Sequence, residues 1–123
     1  MMSSNRILVL LIVTVSLLGS LLAMQGCNKN GGGGPGDAAL VAAGKTVYDA
    51  NNCAKCHLIA GQGSSRGRDL TKVGADVNHT PQWIVEHVKN PRTHNPNSRM
   101  PAFQGKIEEK DLAALGAYLA SLK

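Results

Sequence analysis

The sequence predicts an all-α domain, and three observations carry the prediction. Apolar residues recur at helical spacing in three segments after residue 36. No stretch alternates apolar and polar residues as a half-buried strand does, and no internal repeat is present. Large side chains are scarce: of 123 residues only Tyr48, Trp83, Phe103 and Tyr118 are aromatic. A small domain with so few bulky groups fills a core poorly by itself, and a large apolar cofactor would supply the missing volume.

The first quarter of the chain has a composition of its own. After Arg6, residues 7–24 (ILVLLIVTVSLLGSLLAM) carry no charge and are mostly Leu, Val and Ile, the pattern of an export signal. Gly26 then precedes Cys27 in "MQGCNKN", a stretch that resembles a lipobox, with Met24 where Leu is usual. On that reading residues 1–26 are a lipoprotein-type signal peptide and Cys27 is lipidated. An uncleaved membrane-spanning helix and plain secretion are the alternatives, and all three place the remainder outside the cytoplasm. Residues 27–36 then form the lipidated Cys and a Gly-rich linker, whose nine residues after Cys27 reach roughly 15–18 Å. The folded domain is residues 37–123.

Removing residues 1–26 takes away Arg6 alone among the charged residues, leaving 12 Lys and Arg against 8 acids, a net +4. That mild excess, with so few aromatics, argues against a nucleic-acid-binding surface.

Asp37 is placed to cap a first helix through residues 38–51, with Leu40, Val41, Gly44, Val47 and Tyr48 on one stripe. CAKCH follows from its end. Residues 58–77 are rich in Gly, Ser and charge and read as loop, with a short helical turn near residues 70–73. Thr80 and Pro81 supply an N-cap and a first-turn proline for a helix over residues 81–89, which Asn90-Pro91 closes. Residues 91–105 hold three of the five prolines and form a second loop. For the last helix, Glu108 is the cap, Ile107 and Leu112 have the spacing of a hydrophobic staple, and acids fill the first turn. Leu112, Leu115, Tyr118, Leu119 and Leu122 make its apolar face.

"NNCAKCH", residues 51–57, is where the chemistry concentrates. With Cys27 under lipid, Cys53 and Cys56 are too close in sequence to staple a fold. A thioredoxin-like dithiol needs a βαβ setting that the pattern lacks, and a structural zinc site needs four ligands where this motif offers at most three. Covalent attachment of a c-type haem is the reading that remains: two thiols three apart reach one edge of the ring, and His57 follows as an iron ligand. After Cys27 the one methionine is Met100, in the proline-flanked "NSRMPAF", and it is the candidate for the second axial position. His79, His87 and His94 are its rivals; otherwise they read as surface or capping histidines.

Taken together, "GKTVYDANNCAKCH", "GRDL", "TPQWIVEHVKNPRTHNPNSRMPAF" and "DLAALGAYL" resemble class I monohaem c-type cytochromes over residues 38–122. The resemblance implies three to five helices wrapped around one covalently attached haem c. Gly44 and Tyr48 of the first helix would cross Leu115 and Tyr118 of the last, Leu70 would touch the ring, and Trp83 would pack near a haem propionate. Family members commonly have proline at the position of Arg68, its carbonyl accepting the second N–H of the iron-ligating histidine. Losing proline's fixed φ should leave that contact softer or rearranged.

The expected cofactor-binding residues are therefore Cys53, Cys56, His57, Leu70, Trp83 and Met100, with His57 and Met100 on the iron. Lys55, Arg66, Arg68, Lys72, Arg92 and Arg99 flank them and suit steering toward acidic redox partners. The expected function is one-electron transfer between membrane-associated or periplasmic respiratory partners, with the membrane itself held through Cys27 and no group acting as acid, base or nucleophile. A haem subunit of a larger respiratory oxidoreductase is the first alternative. A gas sensor or weak peroxidase with a labile Met100 is the second.

Overall fold

The computed structural model describes residues 35–123; the export signal, Cys27 and most of the linker lie outside the described residues. Three α-helices carry the fold: α1 (Pro35–Ala50), α2 (Pro81–Lys89) and α3 (Glu109–Ser121). Among the described residues no helix is long and apolar enough to cross a membrane.

Helix α1 begins two residues before the expected cap. Pro35 opens it, a position where a fixed φ and a missing N–H cost nothing. Asp37 therefore sits inside the first turn, where its charge favours the positive helix end, and does not cap it. The helix ends because Asn52 turns left-handed, at φ 55°, a conformation asparagine tolerates better than most residues. CAKCH thus starts a new 3₁₀ turn, Cys53–Lys55, and does not prolong α1.

Helix α1 packs on α3 at a close crossing. A Cβ at Gly44 would press on the Ala114 carbonyl and lie 2.6 Å from the Cβ of Tyr118, so glycine is needed there for the backbones to approach. One turn further on, the rings of Tyr48 and Tyr118 meet edge to face at 6.0 Å. Leu40, one turn earlier, is 42% exposed, although its spacing places it on the same stripe. Crossing helices diverge on either side of their contact, and Leu40 lies beyond the contact's reach.

Helices α2 and α3 match expectation. The Thr80 hydroxyl accepts from the Trp83 N–H at 3.2 Å. Glu108 occupies the N-cap position of α3 without a side-chain capping hydrogen bond, and the staple partners Ile107 and Leu112 are both buried. The core joins Tyr48, Val73, Ile84, Val88, Ile107, Leu112, Leu115 and Leu119, drawn from all three helices and the segments between them. A 3₁₀ turn at Val73–Ala75 is tied to the C-terminus by the Gly74 N–H donating to the Leu122 carbonyl at 2.8 Å.

One feature departs from a purely helical reading. Leu58–Ile59 (β1) and Gln62–Gly63 (β2) form a two-residue antiparallel hairpin. Its turn residues Ala60 and Gly61 are both left-handed, at φ 50° and 78°, the geometry of a tight primed turn. Strands this short leave no alternation to detect, and Ala60 stands where Asn or Asp is usual. The Ala60 N–H instead donates to the Thr71 hydroxyl at 2.9 Å, a tie from across the loop.

Candidate functional site

The attachment turn is built on one carbonyl. Cys53 O accepts from the Cys56 N–H at 3.1 Å and from the His57 N–H at 2.9 Å, winding CAKCH into a single tight turn. Cys53 is half-buried and Cys56 exposed, and both thiols are free. Burial pushes the Cys53 thiol up, against the shift that a reactive redox dithiol requires. Among the described residues the only strands are β1 and β2, which offer no βαβ setting, and no group of three or more His, Cys, Asp or Glu side chains is arranged to hold a bare metal ion. Among the described residues neither the strand setting of a redox dithiol nor a zinc ligand set is present.

His57 is held by the loop that follows it. Its Nδ1 lies 2.8 Å from the Arg68 carbonyl oxygen. A carbonyl only accepts, so Nδ1 carries the proton and Nε2 keeps its lone pair for a metal. Two backbone bonds bracket this contact: Gly67 N–H to Cys56 O at 2.7 Å and Leu70 N–H to Leu58 O at 2.8 Å. They fix the chain before and after residue 68, so the acceptor is in place without proline. Gly67 lies against the same ring: a Cβ there would come 3.0 Å from His57 Cε1 and 3.1 Å from Nδ1. The glycine of "GRDL" is thus a site residue that the sequence reading passed over.

Leu70, Trp83 and Met100 are partly buried and pack against the core. The loop bearing Met100 returns to the end of α2, where Phe103 N–H donates to Val88 O at 3.1 Å and Gln104 N–H to Lys89 O at 3.2 Å. The six basic residues flanking the site are all exposed.

The histidines are not surface groups. His79 is 8% exposed, and its Nδ1 lies 2.9 Å from the Val73 carbonyl. Its ring packs at 4.4 Å on Trp83. The Trp83 ring also stacks on His94 at 4.3 Å and on His87 at 5.2 Å, within 7° of parallel in both cases. His87 Nδ1 and His94 Nδ1 are both buried and without a hydrogen-bond partner. Part of the signal was present in the sequence, since Trp83 and His87 lie four residues apart and share one side of α2. His79, ahead of the helix, and His94, brought in by the loop, are placed by folding outside α2.

The donor set fits a haem attached through two thioethers: paired free thiols, an adjacent imidazole with its proton fixed away from Nε2, and buried polar atoms left unsatisfied by the chain. Comparison with known proteins agrees. The family model described as "Cytochrome c" matches residues 41–123. The chain is 30% identical over 86 residues to cytochrome c oxidase subunit 2 of Alkalihalophilus pseudofirmus, covering 65% of this chain and 25% of that protein. It is 35% identical over 94 residues to the Cbb3-type cytochrome c oxidase subunit CcoP of Azospirillum sp., covering 70% and 30%. It is 30% identical over 81 residues to cytochrome c6 of Chlorolobion braunii, covering 66% and 89%. The chain thus spans about a quarter to a third of the two oxidase subunits.

Proposed function

The chain belongs to the cytochrome c family, whose domain carries covalently attached haem c, and from that premise we propose that it is an exported one-electron carrier with His57 and Met100 as axial ligands. Cys53 and Cys56 hold the ring, and Leu70 and Trp83 lie against it. The observation that carries the reading is the 2.8 Å contact from His57 Nδ1 to Arg68 O, which aims the bare Nε2 and fixes its tautomer. Bound haem supplies an iron that accepts and releases a single electron.

The chain's own residues position the iron ligands and exclude water; none of them serves as acid, base or nucleophile. Tyr48 backs the attachment turn, its hydroxyl 3.5 Å from the His57 carbonyl. Lys55, Arg66, Arg68, Lys72, Arg92 and Arg99 steer the domain toward acidic faces of a respiratory donor and acceptor in brief encounters. Residues 1–26 direct export, lipidated Cys27 anchors the chain, and the Gly-rich linker leashes the domain near the membrane.

The oxidised spectra of the haem-loaded chain and of Met100→Ala test the ligation. A weak sulfur-to-iron band at the red end, present in the parent and lost in the variant, is expected. Its absence from the parent would sink the His/Met assignment, and rapid complete binding of carbon monoxide by the ferrous parent would point to an open iron.

The second reading, a haem subunit of a larger oxidoreductase, is favoured by the two oxidase subunits among the relatives. Purification from native membranes under mild detergent separates the two. A carrier elutes at its own mass, and a permanent subunit co-elutes with partners at fixed stoichiometry.

A further inference from the structure

We propose that His87 and His94 are the hydrogen-bond donors that receive the haem's carboxylate side chains, with Trp83 as the flat face that aligns them. Two observations lead there. The rings of Trp83, His87 and His94 lie mutually within 7° of parallel, with the two imidazole centroids 5.6 Å apart. Both Nδ1 atoms are buried and unpartnered. A buried polar nitrogen left without a bond costs about 1–3 kcal/mol, so two side by side mark an acceptor that the polypeptide does not supply.

The surroundings identify that acceptor. His87 is held below the usual imidazole range first by burial and then by the charges of His94, His57, His79 and Arg68. His57 and Arg68 belong to the attachment turn and its clamp, so His87 lies within electrostatic reach of the haem-binding segment although it is thirty residues further along the chain. Glu86 faces the pair, 3.8 Å from His94 Nε2, and Asp76 faces the neighbouring His79, 3.9 Å from its Nε2. Both carboxylates lie beyond hydrogen-bonding distance, so neither fixes an imidazole proton on Nε2, and Nδ1 of His87 and His94 stays open to donate. Haem carries two carboxylates at one edge, each an acceptor able to form strong charge-assisted bonds with a ring N–H. This inference rests on haem attachment and is independent of ligation by Met100.

The test uses the haem-loaded full chain, with covalent haem verified first by haem staining of the denatured protein. His87→Phe and His94→Phe keep a flat ring against Trp83 and remove the donor. Resonance Raman of the haem carboxylate bending mode should shift in each variant. The ferrous-to-ferric ratio at fixed potential should fall by up to about tenfold, equivalent to about 59 mV for one electron, because a less compensated carboxylate charge favours ferric iron. An unmoved bending mode and potential in both variants overturn the proposal.

A measurement on the parent alone covers variants that fail to fold. In the ferrous protein, nitrogen chemical shifts should show a proton on Nδ1 of both rings, and an unprotonated Nδ1 on both would refute donation. A parent without covalent haem overturns the cofactor assignment as well, whereas unmoved Raman bands in a haem-loaded parent and variants overturn this proposal alone.

Discussion

His57 Nδ1 and the carbonyl oxygen of Arg68 are 2.8 Å apart, and neither partner depends on the Arg68 side chain. The contact belongs to backbone geometry, held by Gly67 N–H on Cys56 O and Leu70 N–H on Leu58 O. Arg68→Ala should therefore leave the optical spectrum of the haem-loaded chain unchanged and alter stability by no more than about 0.5 kcal/mol. Gly67→Ala should do the opposite. Its Cβ would press on the His57 ring, shifting the midpoint potential and costing about 1–3 kcal/mol in denaturant unfolding. If Arg68→Ala proves the more damaging, the backbone account of the clamp is wrong.

The helix crossing at Gly44 leaves no room for a methyl group against Ala114 and Tyr118. Gly44→Ala should destabilise the haem-loaded chain by about 3 kcal/mol, even though alanine has the better helix propensity. Urea unfolding of parent and variant measures this, and a stabilised variant would show that α1 and α3 cross elsewhere.

Tyr48 gives a pH signature. Burial is the main cause that pushes its phenol up from 10.0 to about 12. The fold therefore favours the neutral phenol: the contribution is complete below pH 10 and is lost as pH rises through the folded value, on the order of 2 kcal/mol in all. Tyr48→Phe cannot ionise, so the stability difference between parent and variant should drift in the variant's favour between pH 10 and 12. A constant difference over that window counts against a buried, neutral Tyr48.

Thr80 both caps α2 and holds the backbone of Trp83. Thr80→Ala should cost about 1 kcal/mol, and Thr80→Ser should recover most of it. Thermal unfolding of the three chains is the check; equal midpoints for parent and Thr80→Ala would remove the cap from the account.

The side chains that are nearly inaccessible in the core are few, with Leu112, Leu115 and Pro91 the largest of them. A chain with Cys53→Ser and Cys56→Ser should accordingly lose much of its helical circular dichroism and unfold with poor cooperativity, because it loses what the bound group contributes to the folded state. A fully helical, cooperatively melting variant would mean that the polypeptide core suffices.

Local signals governed what was legible in the chain. Thr80-Pro81 and the Ile107–Leu112 staple fixed the starts of α2 and α3, since caps and staples act within one helical turn. The attachment motif was readable because its chemistry depends on residues within five positions of one another. Other features needed the folded chain. The stripe predicted Leu40 inside, and helix divergence left it exposed. Ala60 and Gly61 bend into a hairpin whose turn is tied to Thr71 from across the loop.

What the sequence by itself determined was the helical class, the attachment turn and the set of groups that could serve it. The tertiary structure decided the partners: which carbonyl orients His57, that Gly67 lies against its ring, and that His94 joins Trp83 and His87 in one partly buried stack. Helical hydrogen bonding and short-range periodicity are written in neighbouring residues. Contacts between residues far apart in sequence exist only after chain closure has brought them together, and packing, not local pattern, selects which of them form.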